Sequence, residues 1–360
     1  MLLFDLKPKD SRSDFYGKRD TIDEIIRLLK RGSWVVVLGP RMVGKTSIIK
    51  VACNDLPRGY SHVYLNLWGV KSAGLFLETL AHGINESQTL YEKLKDILKR
   101  TEEFSVGPDS FSIKVTKEPM TRIWQIIAAI GSLKHNTVLI LDEVQELYPI
   151  SGQVLELLAN IFNTYTNIIF VFTGSMMGLV RSLLEPKGDS PMYGRPPAQV
   201  VIQPFNRTDS INFLKTGFIE YRVSVDDSKI EEAVNQLGNI PGWLTMYGNF
   251  VAVRRMSHQK ALVETKKQAS KIINSELKHF LEGKDEVAYI QTLKACAVPI
   301  GASWSDIKAA INLKKRTPVN DRKVKDTIEK LVESMYIERN DKGRHNIIDP
   351  LVRETILSKR

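Results

Sequence analysis

The chain has 360 residues, of which 43% are hydrophobic and 26% charged, and its formal net charge at pH 7 is +10. This composition is typical of globular proteins and excludes collagen-like, disordered and low-complexity classes; at roughly 150 residues per domain, the length predicts two or three domains. The longest apolar runs, such as 34–38 and 138–141, are far shorter than the ~20 residues of a membrane helix, so we expect no membrane partner.

The start of the chain does not favour a secretion signal, and the two cysteines do not favour a zinc site. The start of the chain passes at once from Met1–Phe4 to charged positions and lacks the apolar region of a signal peptide, so we expect a cytoplasmic protein. The two cysteines, Cys53 and Cys296, are far apart and belong to no CxxC motif or Cys/His cluster. This spacing favours two buried thiols over a zinc site.

The first 205 residues alternate short β-branched runs with helical patterns, which predicts a parallel sheet with crossover helices. Continuous apolar runs without alternation are typical of strands that helices cover on both faces. The predicted fold is therefore α/β with three layers and a parallel five-stranded sheet. The strands are expected at residues 34–38, 62–67, 137–141, 167–173 and 199–202. Alternating residues around the turn at 107–109 predict a hairpin insert within 101–120.

After Pro204 the pattern becomes helical, which predicts a second, helical lid domain. From residue 284, helices are expected at 287–297, 305–310 and 321–334, followed by a strand, a turn and a returning strand over 336–348. Three helices and a two-stranded wing describe a winged helix-turn-helix. The predicted domains are 1–205, 206–283 and 284–360.

The strongest motif lies between the first predicted strand and the next helix. It matches G-x-x-x-x-G-K-[ST] in full and predicts a P-loop NTPase domain. Its glycines let successive N–H groups converge on phosphates, and the helix N-terminus adds partial positive charge. Lys45 is expected to reach the β- and γ-phosphates and Thr46 to ligate Mg²⁺, which predicts ATP or ADP with Mg²⁺ as cofactors. The predicted nucleotide-binding residues here are Gly39, Pro40, Arg41, Met42, Val43, Gly44, Lys45, Thr46 and Ser47.

A second acidic motif follows the third predicted strand. The apolar run 137–141 ends in Asp142 and Glu143, which is a Walker B pattern. We expect Asp142 to hold Mg²⁺ through water and Glu143 to polarise the attacking water.

Two further residues are candidates for catalysis. Ser175 follows the fourth predicted strand, where a hydroxyl can sense the γ-phosphate or simply cap the strand end. Arg195 lies in a loop rich in Pro and Gly, where a guanidinium can neutralise transition-state charge, within its own chain or across an interface. An ordinary surface arginine explains Arg195 equally well.

A corner with two glycines and a proline interrupts the helical domain at residues 238–242. A purely structural turn is a sufficient explanation. If the corner packs over the phosphate loop, Pro241 can close on the adenine.

The C-terminal part carries much of the positive charge, with 16 Lys or Arg and 11 Asp or Glu between residues 284 and 360. The third predicted helix and the wing would bring their basic side chains to double-stranded DNA. The acidic residues of the same helix support a different interpretation, a solvated face or a protein-docking module. The DNA candidates are Arg322, Lys323, Lys325, Lys342 and Arg344.

Taken together, the phosphate loop, Asp142–Glu143 with Gln145, the 173–175 and 193–195 segments, the 238–242 corner and the terminal winged helix resemble the archaeal ATPase family. That family belongs to the STAND group of AAA+-related ATPases. The resemblance spans nearly the whole chain and is weakest at about 95–120. It implies an ATPase that acts as a regulatory switch.

The same resemblance assigns adenine contacts near Phe15 and Tyr16, although the segment 15–20 only approximates the family's opening motif. The chain has no clear arginine at the lid position that senses nucleotide in AAA+ motors; Arg254 and Arg255 are the nearest candidates. This weakens the case for a processive ring.

These features predict an ATP-binding and ATP-hydrolysing regulatory switch whose nucleotide state moves a DNA-binding winged helix. A nucleotide-locked DNA-binding or protein-docking module with negligible turnover is the alternative. A small-molecule kinase fits poorly, because no site for a substrate hydroxyl is evident and the third module would be superfluous.

Overall fold

A computed structural model of the protein describes residues 2–100, 102–114, 117–174 and 179–359. In these ranges the strands are β1 (Val35–Leu38), β2 (Tyr60–Asn66), β3 (Phe104–Val106), β4 (Phe111–Ile113), β5 (Asn136–Asp142), β6 (Ile168–Thr173), β7 (Ala198–Val201), β8 (Ile337–Arg339) and β9 (His345–Ile347). The α-helices are α1 (Arg19–Lys30), α2 (Lys45–Asn54), α3 (Ala73–Glu86), α4 (Gln88–Leu98), α5 (Pro119–Gly131), α6 (Ser151–Thr164), α7 (Leu179–Leu184), α8 (Arg207–Glu220), α9 (Asp227–Leu237), α10 (Pro241–Ala252), α11 (His258–Leu281), α12 (Glu286–Cys296), α13 (Trp304–Lys315), α14 (Asp321–Glu333) and α15 (Pro350–Ser358).

The main sheet has five strands in the order β2-β5-β6-β1-β7, and every neighbouring pair is parallel. All five correspond to predicted strands, so the predicted α/β fold is confirmed. The central strands β1 and β6 are buried along their whole length, whereas the edge strands β2 and β7 alternate between buried and more exposed residues. Continuous β-branched and aromatic runs form the centre because both faces are covered there.

The strand order brings three carboxyl ends together. Val37 of β1 pairs with Thr173 at the end of β6, and Leu141 of β5 pairs with Phe172 of β6. The phosphate motif after β1, Thr173 after β6 and Asp142 at the end of β5 therefore follow neighbouring strands at one edge of the sheet. This edge is where ligands bind in open α/β sheets.

The chain forms two compact units. The first, called the sheet unit, comprises Lys18–Leu38 and Lys45–Val201; the second, called the helical unit, comprises Met1–Gly17, Gly39–Gly44 and Ile202–Arg360. The phosphate motif contributes to both, since residues 39–44 group with the helical unit and the following helix with the sheet unit. The three-domain division expected from the sequence stays a prediction.

Part of the helical unit's core comes from the start of the chain. The Phe4 side chain is fully buried, with its ring 5.8 Å from that of Phe213 and 5.0 Å from that of Phe218. Asn249 donates from Nδ2 to the Phe4 carbonyl at 2.9 Å. The sequence pattern gave no sign that this short apolar start packs among helices 200 residues further along the chain.

The C-terminal elements follow the expected series. Helices α12, α13 and α14 precede the antiparallel strands β8 and β9. Helix α15 was not predicted; Asp349 begins it by accepting from the Leu351 N–H at 2.8 Å. The sequence does carry a helix start signal there, an N-cap aspartate followed by a proline at the first helical position, which the sequence interpretation missed.

The predicted hairpin insert is present as β3 and β4. The Tyr91 hydroxyl of α4 donates to the carbonyls of Gly107 and Ser110 at 2.6 and 2.9 Å, and the Asn85 side chain bonds both the N–H and the carbonyl of Phe111. The hairpin is thus fastened to α3 and α4 within the sheet unit.

Both cysteines are free and buried, and burial raises the pKa of each thiol to about 12. The described ranges contain no cluster of three or more His, Cys, Asp or Glu side chains that could hold a metal ion. In the same ranges, every helix is too short or too polar to cross a lipid bilayer.

Candidate active site

The phosphate motif has the backbone of an anion-binding loop. Helix α2 begins at Lys45, directly after the loop, so the positive end of its dipole lies at the loop, where an anion is stabilised. Gly44 has φ +97° and Met42 has φ +59°. A left-handed conformation at Met42 costs on the order of 1 kcal/mol or more, and such strain is common where a backbone must approach a ligand.

Asp142, at the carboxyl edge of the sheet unit, accepts hydrogen bonds from several hydroxyls. It is 6% exposed, and Thr46 Oγ1 donates to its Oδ2 atom at 3.0 Å. The Tyr64 hydroxyl donates to the same oxygen, while Thr173 Oγ1 donates to Oδ1. Three hydroxyls from three elements therefore fix one carboxylate.

Thr46 and Asp142 fit the coordination that Mg²⁺ requires. Both supply hard oxygen atoms, and the Thr46 hydroxyl directs its proton to Asp142 and so leaves its lone pairs for a cation. A nucleotide-bound Mg²⁺ takes most of its ligands from phosphates and water, so one hydroxyl and one carboxylate suffice.

Tyr64 is a site residue that the sequence interpretation missed. It lies on β2, whose last residue Asn66 pairs with Asp142, so its side chain sits two positions back on the neighbouring strand. Burial, together with the nearby charge of Asp142, raises the pKa of Tyr64, which therefore stays a neutral donor. Only the pairing of β2 with β5 reveals this contact, and no motif in the sequence encodes that pairing.

Glu143 lies directly after Asp142 in an unusual conformation. Its φ is +59°, and its carboxylate Oε2 accepts from Nε2 of Gln145. Gly174 makes room for this arrangement, because a Cβ there would clash with Oε1 of Gln145. The Glu143 N–H is also 3.5 Å from Thr173 Oγ1, so the end of β6 borders both acidic residues.

Two hydroxyl residues, Thr173 and Ser175, lie at the end of β6 or just after it. Ser175 lies outside the described residues, and its role stays a prediction. Thr173, two positions earlier, contacts Asp142 directly.

Arg195 lies away from the acidic cluster of its own chain. Its Nη1 donates to the Pro191 carbonyl at 2.6 Å, and its guanidinium carbon lies 6.0 Å from the centroid of the Phe162 ring. Phe162 packs on Trp34, which immediately precedes β1. Arg195 therefore lies toward the amino ends of the strands, and a four-residue strand spans about 13 Å. The expected catalytic role within the same chain is not supported by this position, while a role across an interface stays a prediction.

The helical unit places the 238–242 corner against the phosphate loop. The Gly242 N–H donates to the Met42 carbonyl at 2.8 Å, and a Cβ on Gly242 would lie 2.8 Å from the same oxygen. Pro241 opens α10 immediately before this contact. Its expected contact with adenine stays a prediction.

The two aromatic residues assigned to adenine lie near each other in the helical unit. Tyr16 is half-buried and its ring packs edge-on against Phe205 and Phe213, at 5.9 and 5.5 Å. Phe15 precedes it and is half-buried too. Arg254, one of the lid arginines considered above, lies over the Phe250 ring at 4.8 Å.

Acidic neighbours neutralise part of the proposed DNA surface. Lys323 pairs with Asp285 at 3.4 Å, Lys325 with Glu329 at 3.7 Å and Arg344 with Asp306 at 2.7 Å. The side chains of Arg322 and Lys342 are exposed and form no ion pair with other described residues. Asp285 also pairs with Lys315, so one carboxylate serves two lysines and opposes the charge of Lys323 only in part.

Comparisons with known proteins agree with the P-loop architecture. A family model described as an ATPase domain predominantly from Archaea matches residues 15–247. The Walker-type ATPase PABY2304 of Pyrococcus abyssi is 25% identical with a TM-score of 0.79, over 99% of this chain and 100% of that one. The Aeropyrum pernix ORC2 protein, solved as ADPNP–ADP complexes, is 13% identical with a TM-score of 0.61, over 99% and 98% of the two chains, which shows a shared fold alone. No protein of curated description matches the sequence.

The family model covers well over half of the chain, from the aromatic pair before α1 to the middle of α10. The matched region includes the phosphate loop, Asp142 with its three hydroxyl donors, and the 238–242 corner, whose Gly242 donates to the Met42 carbonyl. On this match, the chain belongs to the family of ATPase domains found predominantly in Archaea.

Proposed function

We propose that the protein binds ATP with Mg²⁺, hydrolyses it slowly and uses the nucleotide state as a switch. One observation carries the proposal: the hydroxyl of Thr46, at the end of the phosphate loop, is hydrogen-bonded to Asp142, with Glu143 next in the chain. This joins the two motifs that phosphoryl transfer to water requires.

Each residue then has a distinct task. The loop N–H groups and the Lys45 ammonium would hold the β- and γ-phosphates. Thr46, and Asp142 through water, would hold Mg²⁺, which would neutralise charge on the phosphate oxygens. Gln145 occupies Oε2 of Glu143 and leaves Oε1 to accept a proton from the attacking water.

The replacement Glu143→Gln tests the hydrolytic step. General-base catalysis is worth about 10²–10⁴-fold, so we expect phosphate release to fall at least ~100-fold while ATP binding is retained. Glu156→Gln, on the exposed face of α6, serves as the matched control and should keep wild-type turnover. Unchanged turnover in Glu143→Gln would remove Glu143 from the mechanism.

We further propose double-stranded DNA as the partner of the C-terminal elements, with α14 and the β8–β9 hairpin as a winged helix. The exposed, unpaired side chains of Arg322 and Lys342, one on α14 and one on the hairpin turn, support this. A wild-type protein that binds ATP without releasing phosphate would instead favour the alternative, a nucleotide-locked module for binding DNA or docking protein.

A further inference from the structure

The phosphate loop and the C-terminal elements meet at one arginine. Arg41, the third residue of the loop motif, forms an ion pair with Glu276 of α11. Its guanidinium carbon also lies 5.4 Å from the centroid of the Tyr336 ring, which directly precedes β8. All three residues belong to the helical unit.

The neighbouring loop residue is held as well. The Met42 carbonyl accepts from Gly242, and Trp243, next in the chain, donates from Nε1 to Asp349 at 2.7 Å. Asp349 opens α15, so this second connection also runs from the loop to the C-terminal end. Two adjacent loop residues are thus coupled to elements more than 230 positions away in the sequence.

We propose that the Arg41–Glu276 ion pair is a nucleotide-sensitive latch, through which the C-terminal elements sense whether the loop holds phosphates. The inference rests on the proposed function, because it needs a nucleotide in the loop. A guanidinium binds phosphate with the same planar, paired hydrogen bonds as carboxylate. The nucleotide's anionic tail therefore competes with Glu276 for Arg41 and repels the Glu276 carboxylate.

In the latched state, Arg41 pairs with Glu276 and lies over the Tyr336 ring, and Tyr336 lowers the stability of this state. The residue is 4% exposed, and its hydroxyl is among the buried polar atoms without a hydrogen-bond partner in the described chain. An unmet buried hydrogen bond destabilises the arrangement that contains it. When Arg41 turns to phosphate, Tyr336 also loses its cation–π contact, and the segment leading into β8 is freed.

The experiment measures affinity for the non-hydrolysable analogue ADPNP with Mg²⁺. Glu276→Gln removes the competing charge, so the latch predicts binding about five-fold tighter than in the wild type. Tyr336→Phe keeps the ring but removes the unmet hydrogen bond, which favours the latched state and weakens binding about three-fold. Glu264→Gln, about 18 Å back along α11, is the matched control and should bind like the wild type.

A second readout is amide hydrogen exchange at residues 336–339. Saturating ADPNP with Mg²⁺ should speed exchange there in the wild type, whereas Arg41→Gln should exchange fast with or without nucleotide. The latch would be overturned if Glu276→Gln bound ADPNP with wild-type affinity, or if ADPNP left amide exchange at residues 336–339 of the wild type unchanged. Neither result would contradict phosphate binding by the loop. Full ADPNP affinity in Lys45→Ala would overturn the proposed function itself, and the latch with it.

Discussion

Three hydroxyl donors fix the position of Asp142, and no ion pair joins it to another residue of the described ranges. Thr46, Tyr64 and Thr173 come from α2, β2 and β6, so the carboxylate holds one orientation only while these elements keep their register. Groups that orient a metal ligand typically affect metal affinity about 10–100-fold when they are removed. Tyr64 is the donor least expected from motifs and therefore the most informative to change.

The replacement Tyr64→Phe should raise the Mg²⁺ concentration needed for tight ADPNP binding about ten-fold, because the carboxylate loses one of its orienting donors while the aromatic ring stays in place. Titration of Mg²⁺ at fixed ADPNP measures the shift. Tyr60→Phe, on the same strand but at its far end, is the control. Equal Mg²⁺ dependence in the two variants would show that Tyr64 has no positioning role.

The acidic pair and the phosphate loop could be predicted at the residue level because each motif is contiguous in the sequence. Tyr64 could not, since its role depends on which strand becomes the neighbour of β5. Arg41 could be assigned to the loop, but its partners Glu276 and Tyr336 lie in other elements, and only the fold brings them together.

At the level of elements, the backbone of the 238–242 corner contacts the phosphate loop, where the Gly242 N–H donates to the Met42 carbonyl. Gly242 is the second residue of α10, and a side chain there would meet Met42 Cε at 2.7 Å and its carbonyl at 2.8 Å. A backbone carbonyl cannot move aside as a flexible side chain can, so only glycine fits this position.

We expect Gly242→Ala to lower the free energy of unfolding by about 1–3 kcal/mol, the usual cost of forced overpacking. Gly152→Ala is a matched control, because Gly152 is also the second residue of its helix but has open space around its Cα. Urea unfolding monitored by circular dichroism measures both. Equal free energies of unfolding in the two variants would mean that a Cβ at position 242 does not clash with Met42.

The five main strands were predicted to within two residues because continuous apolar runs between helical patterns leave little choice of structure. Helix α15 and the docking of the N-terminal segment were not predicted. Helix α15 has a local start signal at Asp349 and Pro350 that was overlooked. The docking of Phe4 depends instead on the aromatic cluster of α8, which is distant in sequence. Local periodicity carries no information about such distant partners.

On the scale of the whole molecule, the net charge of +10 favours a polyanionic partner, yet its effect depends on which charges remain unpaired. Ion pairs engage Lys323, Lys325 and Arg344, so the basic surface is smaller than the sequence suggests. Composition predicts the sign of the electrostatic potential. Lys325 and Glu329 are an i,i+4 pair within α14, whereas the partners of Lys323 and Arg344 lie in other elements and are brought close only by the fold.

DNA affinity should therefore fall steeply with salt, with a slope of about 0.9 per phosphate contact on a double-logarithmic plot. We expect Arg322→Ala and Lys342→Ala each to reduce that slope by about one unit, because their charges are unpaired. Lys325→Ala, whose charge Glu329 already opposes, should change it least. Fluorescence anisotropy with a short duplex at several salt concentrations measures the slopes, and a flat salt response in the wild type would contradict DNA binding.

The central claim is that the loop at residues 39–46 holds the phosphates of an adenine nucleotide. Equilibrium binding of ADPNP with Mg²⁺ to the wild type and to Lys45→Ala tests it most directly, with Lys30→Ala at the end of α1 as the control. We predict that Lys45→Ala weakens binding at least ~100-fold, since it removes the cation that holds the β- and γ-phosphates, and that Lys30→Ala binds like the wild type. Equal affinity in all three proteins would place the nucleotide elsewhere and contradict the account.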